Sequence, residues 1–504
     1  MRYLEWFSPG RATRTAVAVT CGQAFFLFGY DQGVFGGLIT NPDFLNIFGH
    51  PAPGLMGIIV SIYNLGCLFG CILNFFVADP IGRRKAILVA MFFISVGAVI
   101  QCSSYSRAQL MVGRFITGLG VGIDSSTVPM YQVELCKGDN RGRLVSTEVI
   151  FIALGISFAY FFDFGLSYGS GPFVWRFPIA FQIVLALPIA AIILALPETP
   201  RWLVQQGNLD EARSVIQRVY GLSETAAQVD GQLKEIVDAV ELERSTEFKW
   251  SAIFRRGDPL QTGYRVFLAC LILLMNQWSG INVVVFYAAV ILEDSVGLEH
   301  KTAIVTAGCV NLAFAAGCIG PILGLDKIGR RPLLMIGTAG QAVSMALIAA
   351  LLSFKGTNKE HATATASVAF FITYMLSFGS SLFPIPWLYA AEILPLQVRA
   401  KGTALAVMNN WVWVFTIVMI TPTLVHNIQW KTYLVFMSTN FAFLPLIYFL
   451  FPETKGLTLE EIDYIFLKRD RLQDDHSDNQ SPGDLTQQEE KKAEYVENVV
   501  ASET

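Results

Sequence analysis

The residues in this chain best suited to do chemistry are two opposite charges placed where charge is expensive. Asp31 lies in an apolar stretch, 16–38, long enough to cross a bilayer, and Arg114 lies in another, 110–130. An ionised side chain at the centre of a membrane costs about 2.5–3.5 kcal/mol even on insertion scales, so it is ordinarily kept for a proton, ion or substrate path. With a cytoplasmic amino terminus the first span runs outward and the fourth inward, which puts both charges in the outer half, where they can meet. Two readings stay open: a proton relay, or a structural ion pair joining two helices.

The elements that must position this pair follow from composition. The chain has 504 residues, 53% hydrophobic and only 15% charged, which excludes a soluble globule covering its own surface. Apolar stretches of membrane-spanning length fall near 16–38, 55–78, 86–104, 110–131, 145–166 and 177–197. Six more fall near 264–292, 302–324, 332–353, 366–391, 402–424 and 432–451. The fold class is therefore an all-α, multi-pass membrane protein of twelve transmembrane helices, with the lipid bilayer as its first partner. Short loops on one side carry Arg83, Arg84, Lys85, Lys137, Arg141, Arg143, Lys327, Arg330, Arg331, Arg399 and Lys401, against six Lys or Arg on the other. Positive charge is retained on the cytoplasmic side. Both termini and the central loop are thus expected in the cytosol.

The segment DPIGRRKAILV from Asp79 recurs as DKIGRRPLLMI from Asp326. Tyr131-x-x-Glu134 with Arg141 is matched by Tyr389-x-x-Glu392 with Arg399, and Pro197-Glu198-Thr199 by Pro452-Glu453-Thr454. The halves are thus parallel repeats, a signature of rocker-switch transporters with the site between them. The expected organisation is a cytoplasmic amino terminus (1–15), a six-helix half (16–199), a linker with amphipathic helices (200–262), a second six-helix half (263–453) and a largely disordered cytoplasmic tail (454–504). In each Asp-turn a Gly permits a tight turn, and the carboxylate can cap the next helix or pair with the Glu and Arg partners. Asp79, Arg83, Glu134 and Arg141, with Asp326, Arg330, Glu392 and Arg399, are read as gating charges forming an inter-half latch; topology determination alone is the alternative.

Other classes find no support. No catalytic triad, metal-ligand spacing or phosphate loop is present, and the five histidines are scattered, so neither an enzyme, a cofactor nor a metal site is expected. The net charge of −4 suggests no nucleic-acid partner. The eight cysteines form no CxxC pair and read as packing residues. The amino-terminal MRYLEWFSPGRATR lacks the core of a cleaved signal, so the first span is expected to be retained. Asn479-Gln480-Ser481 matches a glycosylation sequon that a cytoplasmic location would leave unused.

The chain resembles the sugar porter family of the major facilitator superfamily, and within it the fungal sugar and polyol transporters. The resemblance covers about residues 15–465 and rests on FGYDQG, GRFITGLGVG, PMYQVELCKGDNRG, PETPRWL, NQWSGIN, DKIGRRP, PIPWLYAAEILPLQVRAKG and PETKGLTLEEID. AYFFDFGLSY followed by WRFPIAFQIV is similar to the subgroup that includes glycerol–proton symporters. The resemblance implies the major facilitator fold and, in proton-coupled members, a protonation site at the position of Asp31 tuned by the Arg at the position of Arg114. It implies a sugar pocket at Asn276, Gln277, Asn282, Asn311, Trp387 and Asn410, whose amides and indole suit vicinal hydroxyls.

Three departures blur the substrate: Val149 where the family has Gln, Asn276 where it has the first Gln of a pair, and Val414 where it has Asn. Pro80 and Phe75 depart from the first Asp-turn pattern. Asp124 and Glu148 are extra acids in the inner half of spans, open to substrate binding, a proton path or a structural role. The expectation is a plasma-membrane proton symporter for a monosaccharide or polyol by alternating access. A facilitative hexose uniporter, a nutrient sensor and a secondary-metabolite transporter are the alternatives.

Overall fold

Because a bilayer core offers backbone groups no water, every membrane-spanning segment must satisfy its own N–H and C=O groups. The computed structural model does so with helices alone; no strand occurs among the described residues, which are 6–136, 141–220, 226–245, 258, 260–395, 398–457 and 459–467. The first half comprises α1 (Arg11–Leu38), the short α2 (Pro42–Ile47), α3 (Pro53–Ile81), α4 (Arg83–Cys102), α5 (Arg107–Leu135), α6 (Arg141–Leu166) and α7 (Phe173–Ala195). Between the halves lie α8 (Pro200–Gln205), α9 (Leu209–Tyr220) and α10 (Ala226–Ser245). The second half comprises α11 (Thr262–Trp278), α12 (Ile281–Asp294), α13 (His300–Gly317), α14 (Ile319–Ile328), α15 (Arg330–Leu352), α16 (Glu360–Gly379), α17 (Pro384–Glu392), α18 (Arg399–Ile428) and α19 (Lys431–Leu450), followed by α20 (Leu459–Phe466). Three spans of the second half are therefore each built from two helices, α11/α12, α13/α14 and α16/α17. Among the described residues, ten spans are long and apolar enough to cross a membrane by length and composition. The two that are not, α1 and α5, are those holding Asp31, Arg114 and Asp124.

Glycine lets helices pack where no hydrophobic force drives them together. Gly66 and Gly70 of α3 face Gly118 and Gly122 of α5, and a Cβ at any of them would collide with a backbone carbonyl opposite. Gly29 and Gly33 of α1 and Gly155 of α6 make the same close approach. The halves meet along α3 with α18 and α6 with α13. Gly57 lies against the Met419 carbonyl, Phe28 and Trp411 are 5.8 Å apart between ring centroids, and the Tyr160 hydroxyl donates to the Val285 carbonyl at 2.8 Å.

α9 buries Ala212, Val215, Ile216 and Val219 on one face and clamps the start of the chain, with Gly10 N–H donating to the Arg218 carbonyl at 2.7 Å. α20 docks beneath the second half through Arg265–Asp463 at 2.5 Å and Phe466 under the Arg265 guanidinium. Of the tail expected to be largely disordered, 454–504, the first part is ordered through α20, while residues 468–504, Asn479 among them, lie outside the described residues. Gly118→Val should cost about 1–3 kcal/mol by overpacking the α3–α5 seam. The expected outcome is loss of the monodisperse peak in detergent size-exclusion chromatography; a normal peak would show the seam to be more yielding than its backbone contacts indicate.

Candidate functional site

The span α11/α12 breaks at Ser279–Gly280, where Gly280 adopts φ 100°, a left-handed conformation that favours glycine. A broken helix frees backbone groups that must find partners in a dry interior. The Ser279 carbonyl accepts from the Tyr374 hydroxyl at 3.1 Å and Asn440 Nδ2 at 2.9 Å, and the Trp278 carbonyl accepts from Thr439 at 2.8 Å. The break is thus pinned to α16 and α19.

Around it the amides expected to line a pocket form one chain. Asn282 Nδ2 donates to Gln277 Oε1 at 2.7 Å, and Gln277 Nε2 donates to Asn410 Oδ1 at 2.8 Å and to Asn276 Oδ1 at 2.6 Å. Asn276 Nδ2 in turn donates to the Leu382 carbonyl, in the gap between α16 and α17. Helices α11, α12 and α18 and the α16/α17 break are therefore linked through one set of side chains. All four amides are buried, so they satisfy one another rather than solvent. Two expected members stand apart: Asn311 donates to the Ala307 carbonyl of its own helix, leaving Oδ1 unpartnered, and Trp387 is half-buried on α17. Trp411, which sequence reasoning passed over, is buried at the seam with its indole N–H unpartnered. At the ends of α3, α12 and α18 away from the termini, a cavity of about 350 Å³ is lined by Met56, Tyr287, Asp294, Lys355, His426 and Trp430.

Asp31 and Arg114 are both buried, and no hydrogen bond or ion pair joins them. Both Asp31 carboxylate oxygens lack a hydrogen-bond partner. Arg114 instead donates to the Val60 carbonyl at 2.9 Å, with its guanidinium 3.7 Å from the Phe35 ring centroid and 5.2 Å from that of Tyr63. An arginine has five donors and a flat face that stacks on rings, so helix α3 and the aromatics compete with the carboxylate for it.

The gating charges also differ from the inter-half latch. Arg83 pairs with Glu134 at 3.5 Å and Asp79 at 3.1 Å, and Arg330 pairs with Glu392 at 3.0 Å, so these pairs stay within one half. The reason is local. Gly82 and Gly329, at φ 89° and 105°, turn the chain so that the next helix begins beside the other helices of its own half. Arg399 donates from Nε to the Leu394 carbonyl; the side chains of Arg141 and Asp326 lie outside the described residues.

What organises these turns is a residue noticed only as part of the repeat. Glu198 accepts from the backbone N–H groups of Arg83 and Arg84 at 3.2 Å, capping α4, and Glu453 accepts from those of Arg330 and Arg331 at 2.9 Å, capping α15. Burial pushes the Glu198 carboxyl up, while the Thr199 and Arg84 N–H groups and the Arg83 charge pull it back. Tyr131 and Tyr389 complete the symmetry, donating to the carbonyls of Pro197 and Pro452 at 2.7 and 2.8 Å. The available signal was Glu at matching positions beside each arginine pair's helix start.

Comparison with known proteins agrees with this architecture. The sequence matches the family described as sugar (and other) transporter over residues 15–466. The MFS-type transporter oryC of Aspergillus oryzae is 37% identical, the alignment covering 89% of this chain and 84% of oryC. The sugar transporter STL1 of Saccharomyces cerevisiae is 35% identical over 93% of this chain and 84% of its own. The xylose transporter XylE from E. coli, in a partially occluded inward-open conformation, superposes with a TM-score of 0.75 at 22% identity, covering 88% of this chain and 99% of that one. The chain belongs to the sugar transporter family of the major facilitator superfamily and has its twelve-helix fold; it is a membrane transporter and not an enzyme.

A negative charge at a helix N-terminus contributes about 0.3–1 kcal/mol, and up to about 2 when partly buried. Glu198→Gln combined with Glu453→Gln should therefore lower the thermal unfolding temperature of the purified protein, followed by intrinsic tryptophan fluorescence. An unchanged curve would remove the capping role.

Proposed function

We propose that this chain is a plasma-membrane proton symporter for a monosaccharide or polyol, working by alternating access with both termini in the cytosol. The observation that carries the reading is Asp31: a carboxyl group 1% exposed, with both oxygens unpartnered, beside an arginine engaged elsewhere. An isolated carboxylate in an apolar interior is far costlier than a neutral carboxyl. The geometry fits Asp31 with its proton on. When the proton leaves, the carboxylate attracts Arg114 away from the Val60 carbonyl and the Phe35 ring, so one guanidinium has two seats and proton occupancy chooses between them. Such a bistable contact between α1, α3 and α5 is what couples a proton to a rocking motion.

The substrate class rests on the amide chain and on the relatives. Gln277, Asn282, Asn276 and Asn410 offer donors and acceptors that a polyhydroxylated ligand exchanges for their mutual bonds. Among similar proteins, one carries the name sugar transporter, another high-affinity glucose transporter 1 of Candida albicans at 30% identity, and XylE is described as a proton:xylose symporter. A facilitator would have no use for an unpartnered acid at this depth, which favours symport.

Asp31→Asn should abolish uphill accumulation while sparing counterflow exchange, because the amide keeps the shape and cannot release a proton. Uptake of labelled sugars and polyols by transporter-deficient cells, with and without a protonophore, measures this; protonophore-sensitive accumulation at the wild-type level would refute the assignment. Gln277→Ala and Asn282→Ala should each raise KM. An unpaired buried partner costs about 1–3 kcal/mol, equivalent to about 5- to 150-fold. Unchanged KM in variants that reach the surface would put the pocket elsewhere.

A further inference from the structure

Neither the amide chain nor the Asp31–Arg114 pair uses the cavity of about 350 Å³, and both halves wall it. The first half supplies Ile39 at the end of α1, and Pro51, Pro53 and Met56 at the start of α3; the second supplies the ends of α12, α15 and α18. The floor is apolar and buried, made by Ile39, Met56, Tyr287 and Ile291. The rim is polar: Asp294, Lys355, His426 and Gln429 are exposed, and Trp430 is half-buried. Small-molecule sites are concavities of about 300–1,000 Å³ with apolar walls and a few polar groups that fix orientation. This cavity has that size and that lining.

Two features say what it would hold. The first is the balance of the rim. Asp294 and Lys355 line the same space with opposite charges, and Lys355 Nζ donates to the Asp294 backbone carbonyl at 3.4 Å, so the rim selects neither an anion nor a cation. It offers a carboxylate that only accepts, an ammonium that only donates and an amide that does both, which is what a run of hydroxyls requires. Trp430 adds an aromatic surface for the carbon face of such a molecule. The Tyr287 hydroxyl donates to the Val418 carbonyl at 3.0 Å, which fixes its ring in the floor.

The second feature is Gln429. It adopts φ 48° and ψ −125°, a conformation suited to glycine, in the two-residue connection between α18 and α19. Strain of this kind clusters at ligand clamps and switch regions. Glycine at this position would remove the strain and the amide together.

We propose that the cavity is a second binding site, on the outer side of the membrane, for a neutral polyhydroxylated molecule, with Gln429 and Asp294 bonding its hydroxyls and Trp430 covering its carbon face. The inference rests on the topology and substrate class proposed above. Because both halves wall the cavity, an occupant favours the arrangement described here over the alternative one. The site also adjoins the coupling residues: Phe35 and Val60, which seat Arg114, lie one helical turn from Ile39 and Met56 on the same helices.

The test uses full-length protein in intact cells, with a thiol introduced by Ser295→Cys at another lining position. A membrane-impermeant thiol reagent should label it from outside, above the background of the wild-type protein, and glucose, xylose or sorbitol should slow the labelling. The slowing should persist when Gln277→Ala and Asn282→Ala are added, since those changes empty the central pocket alone. Adding Gln429→Gly or Trp430→Ala should raise the concentration needed for half-protection by about tenfold, the scale of one lost polar contact. Gln429→Gly should do so while unfolding at a temperature no lower than the wild type. Labelling that none of the three compounds slows would overturn the proposal. So would protection that the central-pocket changes abolish and the rim changes leave intact, which marks motion of the halves and not a second site. Failure of the underlying reading shows elsewhere, in no uptake of any sugar or polyol by the wild type or in labelling only after the membrane is permeabilised.

Discussion

A polar group inside a membrane protein has no water to fall back on, and nearly everything distinctive in this structure follows from how that debt is settled. The carbonyls freed by the break between α11 and α12 are bonded by Tyr374, Asn440 and Thr439. The orphan N–H groups at the starts of α4 and α15 are bonded by Glu198 and Glu453. The amides of Asn276, Gln277, Asn282 and Asn410 satisfy one another in series. Against this background the buried acids of the first half stand out, because most of their oxygens have no partner. The two halves share repeated motifs but differ in their buried polar groups: the second holds the linked Asn276, Gln277, Asn282 and Asn410, the first holds Asp31, Asp124, Glu148 and Asp163.

That division bears on how the halves move. The Arg83–Glu134 and Arg330–Glu392 pairs and the two glutamate caps lie within a half, tying the inner ends of its helices into one block. Blocks stiffened in this way are suited to rocking as rigid bodies about the α3–α18 and α6–α13 seams. The charges that read as a latch between halves thus serve first to make each half a unit, and the contacts to be broken and remade are softer: Phe28 on Trp411, Tyr160 on the Val285 carbonyl, Gly57 against Met419. Such weak, replaceable contacts allow two states within a few kcal/mol of each other.

Much of this was legible in the sequence. Apolar length gave the spans, and the duplicated Asp-turns gave the two halves, because hydrophobic periodicity and repeats are local properties of a chain. Gln277, Asn282, Asn276 and Asn410 were named as pocket residues, and their bonding to one another is a tertiary fact that spacing does not contain. The sequence puts Arg114 and Asp31 at one depth, but that the guanidinium rests on the Val60 carbonyl and the Phe35 ring is decided by packing among partners on α3 and α1. Glu198 and Glu453 were visible only as a repeated Pro-Glu-Thr, since a cap from a segment more than a hundred residues away leaves no local signature. Asp163 carries the same signal as Asp31, a charge in an apolar span.

Simultaneous recording of proton and labelled-substrate flux tests the account most directly. With purified protein in proteoliposomes at zero membrane potential and equal pH, adding an outward-to-inward gradient of a transported sugar or polyol should acidify the lumen in step with substrate entry, with a fixed ratio at every substrate concentration. Substrate entry with no accompanying proton movement would contradict it.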